Sequence, residues 1–214
     1  MIPHWAVERR KMIEMQLRRR GIRDERILSA MEEIPREQFI PPEARLSAYE
    51  DGPVPIGFGQ TISQPYMTAL MAELLELTGG ESVLEVGAGC GYAAAVLGKL
   101  AARVVAIEIV PALAETAREN LERTGLGPNV SVICGDGSLG YPEGAPFDAI
   151  SVAAGAPDIP PALLAQLQDP GRLVMPVGDY ADQELRVVAK RDGQIQSRVA
   201  ALCRFVPLRG EGGF

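Results

Sequence analysis

The sequence predicts an α/β fold: a doubly wound, mostly parallel sheet with a C-terminal antiparallel hairpin and N-terminal helices. Two observations carry this. From residue 82 onward, short apolar runs alternate with stretches long enough for helices, the pattern of a parallel sheet covered on both faces. After residue 178 the alternation stops, and ELRVVAK and RVAALCRFVPL are joined by the turn residues RDGQ. A hairpin at one sheet edge fits that better than another crossover.

Taken in order, Gly21 is placed to end a first helix and Asp24 to cap a second, in which Ile27, Leu28 and Met31 share one face. Five prolines between Ile34 and Pro55 interrupt any periodicity, so this segment is expected to wrap over the core. The predicted strands are SVLEV (82–86), RVVAI (103–107), VSVI (130–133), DAISV (148–152) and RLVMPV (172–177). Helices are predicted between them over Tyr92 to Leu100, Pro111 to Arg123 and Pro160 to Leu167. Residues 1–60 read as helices and an acceptor-side loop packed on a core domain, 61–214, the two forming one structural unit.

Composition narrows the function. With 214 residues, 47% hydrophobic and 23% charged, the chain is an ordinary globular protein able to bury a sizeable core. No apolar run approaches the roughly 18 residues of a membrane span, and the N-terminus lacks the apolar stretch of a secretory signal, so a cytoplasmic protein with no membrane partner is expected. The three cysteines show no metal-ligand spacing and read as buried free thiols. A single histidine, His4, disfavours a histidine base or a histidine-rich metal site. Of the net charge of −7, residues 1–36 contribute nine basic and six acidic side chains, leaving −10 on the rest. That balance argues against a nucleic-acid partner for the core. The run Arg18–Arg19–Arg20 reads as a solvated helix face, with a nucleic-acid role as the minor alternative.

The first strand of the alternating region ends in VLEVGAGCGY, with glycines at 87, 89 and 91. GxGxG places a tight turn between strand and helix, so that a nucleotide can approach the backbone, as in Rossmann-like sheets. Glu108 follows 21 residues after Gly87, at the tip of the second strand, where a ribose diol would be held. CGDG (134–137) follows the third strand, and its glycines leave the Asp136 carboxylate free to accept from an adenine amino group. Nicotinamide dinucleotides and S-adenosylmethionine both remain. A turn with no basic residue and no phosphate to cradle favours the second.

PIGFGQTISQPYM (55–67) precedes these motifs. A helix starts at Pro65, with Met67, Leu70, Met71, Leu74 and Leu75 on one apolar face. Thr61 and Ser63 then sit ahead of a helix N-terminus, which favours an anion. Taken alone, Ser63 or Gln64 reads as a helix cap. With Gly57 and Gly59 supplying a hinge and Gln60 to Ser63 a polar cluster, the stretch reads as a loop that presents an acid to a methyl donor.

These stretches together resemble the protein-L-isoaspartate O-methyltransferases over nearly the whole chain. The likeness runs from MIEMQLRRRGIRDERILSAMEEIPREQFIP through VLEVGAGCGYAAAVL and GDGSLGYPEGAPFDAISV to RFVPL, and GQTISQP is its discriminating piece. The resemblance implies methyl transfer from S-adenosyl-L-methionine, leaving S-adenosyl-L-homocysteine, to the free carboxylate of L-isoaspartyl residues in damaged proteins and peptides. The ester then closes to a succinimide. It implies Ser63 as the active-site residue, with Gln60, Thr61 and Ile62 completing the substrate loop. Gly87 and Gly89 match the cofactor turn, Glu108 the ribose ligand, and Asp136 with Gly137 the adenine contact. A monomer and no metal are expected. A methyltransferase acting on another acceptor, a binding module that transfers nothing and, last, a nicotinamide-dependent reductase are the competing readings.

Overall fold

The computed structural model describes residues 4–214. Residues 1–3, where the acceptor-side segment begins in the sequence reading, lie outside the described residues.

Helix α1 (His4–Met12) continues through a π-helical turn and a 3-10 turn to Gly21, whose left-handed φ of 102° ends it as expected. Helix α2 (Glu25–Glu33) is capped by Asp24, whose carboxylate accepts from the Arg26 N–H, and it buries Ile27, Leu28 and Met31. The proline-rich segment forms two 3-10 stretches and then strand β1 (Val54–Gly57), which pairs antiparallel with β2 (Gln60–Ile62). Here the expectation of a hinged loop is corrected. Gly57 and Gly59 are a hairpin turn, both left-handed, with φ of 90° and 71°, and Phe58 between them is left-handed too.

Helix α3 (Pro65–Leu74) starts at proline as predicted, but its predicted single apolar face does not hold. Pro65, Thr68, Ala69 and Ala72 are buried with Met71, while Met67, Leu70 and Leu74 are half-buried. The reason is that α3 is flanked by α2 and by the Ile13–Leu17 turn, so its small residues, as well as its long ones, meet neighbours.

The remaining elements are β3 (Ser82–Val86), α4 (Tyr92–Leu100), β4 (Arg103–Glu108), α5 (Pro111–Thr124), β5 (Val130–Cys134), β6 (Phe147–Val152), α6 (Pro161–Gln166), β7 (Leu167–Gly178), β8 (Gln183–Arg191) and β9 (Gln194–Cys203). They build one seven-stranded sheet of order β5-β4-β3-β6-β7-β8-β9. The first five strands are parallel, and β7, β8 and β9 pair antiparallel. Alternate residues of β3 serve opposite faces. Val83 joins the core shared with α2, α3 and α4, while Leu84 and Val86 join the core under α6.

Two further expectations are corrected. β7 begins at Leu167 rather than 172, because Gln168–Gly171 bulges between the pairs Phe147↔Leu167 and Ala149↔Arg172. The last β run ends at Cys203 rather than reaching Leu208. From Arg204 the chain leaves the sheet: the Gly155 N–H donates to the Val206 carbonyl at 2.9 Å, and the Leu208 N–H returns one to the Gly155 carbonyl at 2.7 Å. The cysteines also differ from expectation, since Cys90 is buried, Cys134 is exposed at the end of β5, and Cys203 is half-buried.

Candidate active site

Strands β4 and β6 flank β3 on opposite sides, so the chain reverses its direction of winding at the carboxyl end of β3. In doubly wound sheets ligands bind at this place. The cleft here is lined by Gln60 to Ser63, Thr68, Gly87 to Cys90, Glu108, Gly137, Ala153, Ala154 and Val206 to Arg209. The two motif sets, far apart in sequence, open onto one cavity.

Gly87, Gly89 and Gly91 all have left-handed φ, at 90°, 55° and 86°. At Gly91 a Cβ would also stand 3.3 Å from the Ala117 backbone Cα, so both conformation and space demand glycine. The turn is held by the Gly87 and Ala88 N–H groups donating to the Ile107 carbonyl, and by the buried Asn120 side chain donating to the Cys90 carbonyl at 3.0 Å. Asn120 escaped the sequence reading. Its signal is an amide on the apolar face that Leu113, Ala117 and Leu121 define in α5.

Glu108 is 6% exposed, and its carboxylate accepts from the Gly89 N–H at 2.8 Å and the Val110 N–H at 3.0 Å. A carboxylate has about four acceptor positions. Half remain for a ribose diol, so this end of the cleft fits an adenosyl group, with exposed Ile109 as apolar surface beside it. Gly137 lines the cleft, and a Cβ there would lie 2.5 Å from Val86 Cγ1. Asp136 stands behind that lining and is not a free carboxylate. Oδ1 accepts from the Ser138 N–H at 2.9 Å and hydroxyl at 2.6 Å, and Oδ2 from the Glu211 N–H at 2.8 Å. These contacts hold its pKa below the ordinary carboxylate value, against the opposing effect of burial. The C-terminal segment that ties it down completes the cleft wall with Val206 to Arg209. No side-chain chemistry in RFVPL signals that role.

Ser63 sits between β2 and α3. The helix cap is Gln64, which makes no side-chain cap bond and instead donates to the Asp51 carboxylate at 2.7 Å. The capping alternative for Ser63 therefore lacks support. The Ser63 carbonyl accepts from Arg36 at 2.8 Å. Arg36, which enters the sequence reading only as one of the nine basic residues of 1–36, is 0% exposed. The rest of that basic segment is largely paired: Arg18 with Glu14 and Glu25, Arg26 with Asp24, and Arg20 with Asp51, its guanidinium 3.6 Å over the Tyr66 ring.

Glu85 is a further group missed in the sequence. It is 1% exposed, and neither carboxyl oxygen has a partner among the described residues. It faces a small cavity that shares Ser63, Thr68, Ala93 and Ala153 with the cleft. Burial, with a smaller contribution from Glu108, pushes its pKa up to about 8, so it is held largely neutral at pH 7.

The model of the protein-L-isoaspartate(D-aspartate) O-methyltransferase family matches residues 7–212. The chain belongs to this family. It is 56% identical to the protein-L-isoaspartate O-methyltransferase 2 of Marinobacter nauticus, over 96% of this chain and 94% of the relative. Among solved structures, a protein-L-isoaspartate O-methyltransferase superposes with a TM-score of 0.83 at 33% identity, covering 95% of this chain and 66% of that one. A Plasmodium falciparum structure described as a β-aspartate methyltransferase of the family, in complex with S-adenosyl-L-homocysteine, gives 0.82 at 28% identity, covering 94% and 98%. Family membership and fold agree with a cleft that has one end built on β3, β4 and Gly137 and a second built on the β1–β2 hairpin and the start of α3.

Proposed function

We propose that this cleft transfers a methyl group from S-adenosyl-L-methionine to the free carboxylate of L-isoaspartyl residues in proteins and peptides. The observation that carries the reading is that Gln60 to Ser63 and the Gly87–Gly89 turn line the same cavity, so acceptor and donor ends are contiguous. S-adenosylmethionine supplies a methyl group on a sulfonium. What this chain supplies is placement. Gly87 and Gly89 let the ligand lie against the backbone, Glu108 accepts from the ribose hydroxyls, and Gly137 with the one acceptor position left on Asp136 meets the adenine.

On the acceptor side, Ser63, Thr61 and Gln60 orient the carboxylate, and buried Ile62 fixes their strand. Free N–H groups at the start of α3 favour the same negative charge. A carboxylate with an ordinary pKa of about 4 is already ionised at neutral pH, so no residue need take its proton before it attacks the methyl. Alignment alone can provide effective molarities of roughly 10⁵ to 10⁸ M. Ser63 is therefore assigned to orientation and not to nucleophilic attack.

Among the described residues no helix is long and apolar enough to cross a membrane. We further place the enzyme in the cytoplasm as a monomer with no nucleic-acid partner. Its unpaired thiols and a charge of −10 outside residues 1–36 support that placement. Residues 1–60 pack on the acceptor side of the donor-binding domain 61–214, whose first residues, Thr61 to Ser63, complete the acceptor end. The functional test is to incubate the protein with S-adenosylmethionine and an isoaspartyl peptide and follow products by mass spectrometry. A base-labile monomethyl ester that decays to a succinimide is expected. S-adenosylhomocysteine formation with an unmodified peptide would contradict the reading.

A further inference from the structure

Arg36 opens the 3-10 turn Arg36–Gln38 after α2 and is 0% exposed. A buried guanidinium has lost its hydration and is ordinarily matched by a carboxylate. Here the groups that hold it are neutral. Nε donates to the Ala48 carbonyl at 2.7 Å, Nη2 to the Ser63 carbonyl at 2.8 Å, and the guanidinium lies 4.9 Å from the centre of the Tyr92 ring. The adjacent Glu37 carboxylate is engaged by Arg9 and by the Tyr49 hydroxyl. Nη1 has no partner among the described residues, and neither does the Tyr92 hydroxyl.

Ser63 and Tyr92 both line the cleft, and Arg36 lies directly behind them. Burial lowers the guanidinium's pKa from its ordinary value, but arginine stays charged in proteins. A full positive charge with an unused donor thus backs the acceptor end of the site. A ligand carrying a carboxylate at Ser63 would match that charge, and a neutral isostere would leave it unmatched.

We propose that Arg36 is a positioning residue of the acceptor half, fixing Ser63 through its carbonyl and selecting an anionic acceptor by its buried, unmatched charge. The proposal rests on the methyl-transfer reading above. Its test compares the wild type with Arg36→Lys and Arg36→Met, each checked for cooperative unfolding. The measurements are steady-state transfer to an isoaspartyl peptide and calorimetric affinity for S-adenosylhomocysteine.

The methionine variant is expected to lower kcat/KM for the peptide by about 100-fold, mainly through KM, with S-adenosylhomocysteine affinity within about threefold of wild type. The lysine variant keeps the charge but not the planar fork, and it is expected to recover most of KM while kcat stays reduced. An unchanged peptide KM in Arg36→Met, or an equal loss in S-adenosylhomocysteine affinity, overturns the proposal alone. Absence of transfer by the wild type overturns the functional reading, and the proposal with it.

If Arg36→Met does not fold, the wild type decides. Inhibition by an isoaspartyl peptide is compared with that by its isoasparaginyl counterpart at about 50 and 300 mM salt. A buried charge is poorly screened, so a preference for the acid of at least about tenfold, changing less than about threefold with salt, is expected. A preference that collapses with salt assigns selection to exposed arginines and overturns the proposal.

Discussion

Ser63 and Glu85 border the same inner cavity and invite opposite experiments. Removing the Ser63 hydroxyl takes away one hydrogen bond to a charged acceptor, worth about 1.5–3 kcal/mol. Ser63→Ala is accordingly expected to reduce kcat/KM for an isoaspartyl peptide by about 10- to 100-fold, while S-adenosylhomocysteine affinity stays within about twofold. A matching loss in cofactor affinity would place Ser63 on the donor side. Glu85 acts on stability. Its folded pKa of about 8 lies above the ordinary 4.5, so between those values the folded protein holds a proton that the unfolded chain has released. Stability is therefore fully present below about pH 4.5 and falls as pH rises toward 8. Glu85→Gln keeps the neutral shape and removes the titration. Between pH 5 and 8 its melting temperature is expected to fall less than that of the wild type, and parallel curves would show that Glu85 ionises freely in the fold.

At the scale of elements, the parallel strands and the helices α4, α5 and α6 were legible because apolar β-runs and the residues that bound helices, whether glycine, proline or a side-chain cap, carry strong local signals. Asp24 is an example. Its carboxylate caps α2 as the sequence suggests, and Asp24→Ala is expected to cost about 1 kcal/mol in chemical denaturation. A value near zero would mean that neither the cap nor the Arg26 ion pair, both of which use the Asp24 carboxylate, holds the helix start. What was not legible depends on contacts distant in sequence. The β1–β2 hairpin looks like a hinge because glycine serves both uses, and only pairing with Val54 decides between them. The tail after Cys203 reads as strand from its apolar residues, yet it is drawn off the sheet by Gly155 and tied at Glu211 to Asp136. Arg36 carries no local signal of burial, since charge is usually exposed. Its burial follows from two carbonyls, of Ala48 and Ser63, that the fold brings together.

Over the whole molecule, one hydrophobic cluster runs from Met12 and Leu17 in the N-terminal helices, through Ile56 and Ile62 of the hairpin, to Val83, Val104 and Val187 of the sheet. Acceptor and donor ends of the cleft therefore share a core, and a ligand at one end should stabilise the whole. S-adenosylhomocysteine at 100 times its Kd is expected to add about 2.7 kcal/mol, seen as a single unfolding transition moved to higher temperature. A second, unmoved transition would separate the N-terminal helices from the site. The central claim is that this shared cleft holds a carboxylate acceptor of one linkage against a methyl donor. It is tested most directly by transfer of labelled methyl from S-adenosylmethionine to two peptides that differ only in one isoaspartyl or normal aspartyl linkage. Selective, base-labile labelling of the isoaspartyl peptide is predicted; equal labelling of both, or none despite bound cofactor, would contradict the account.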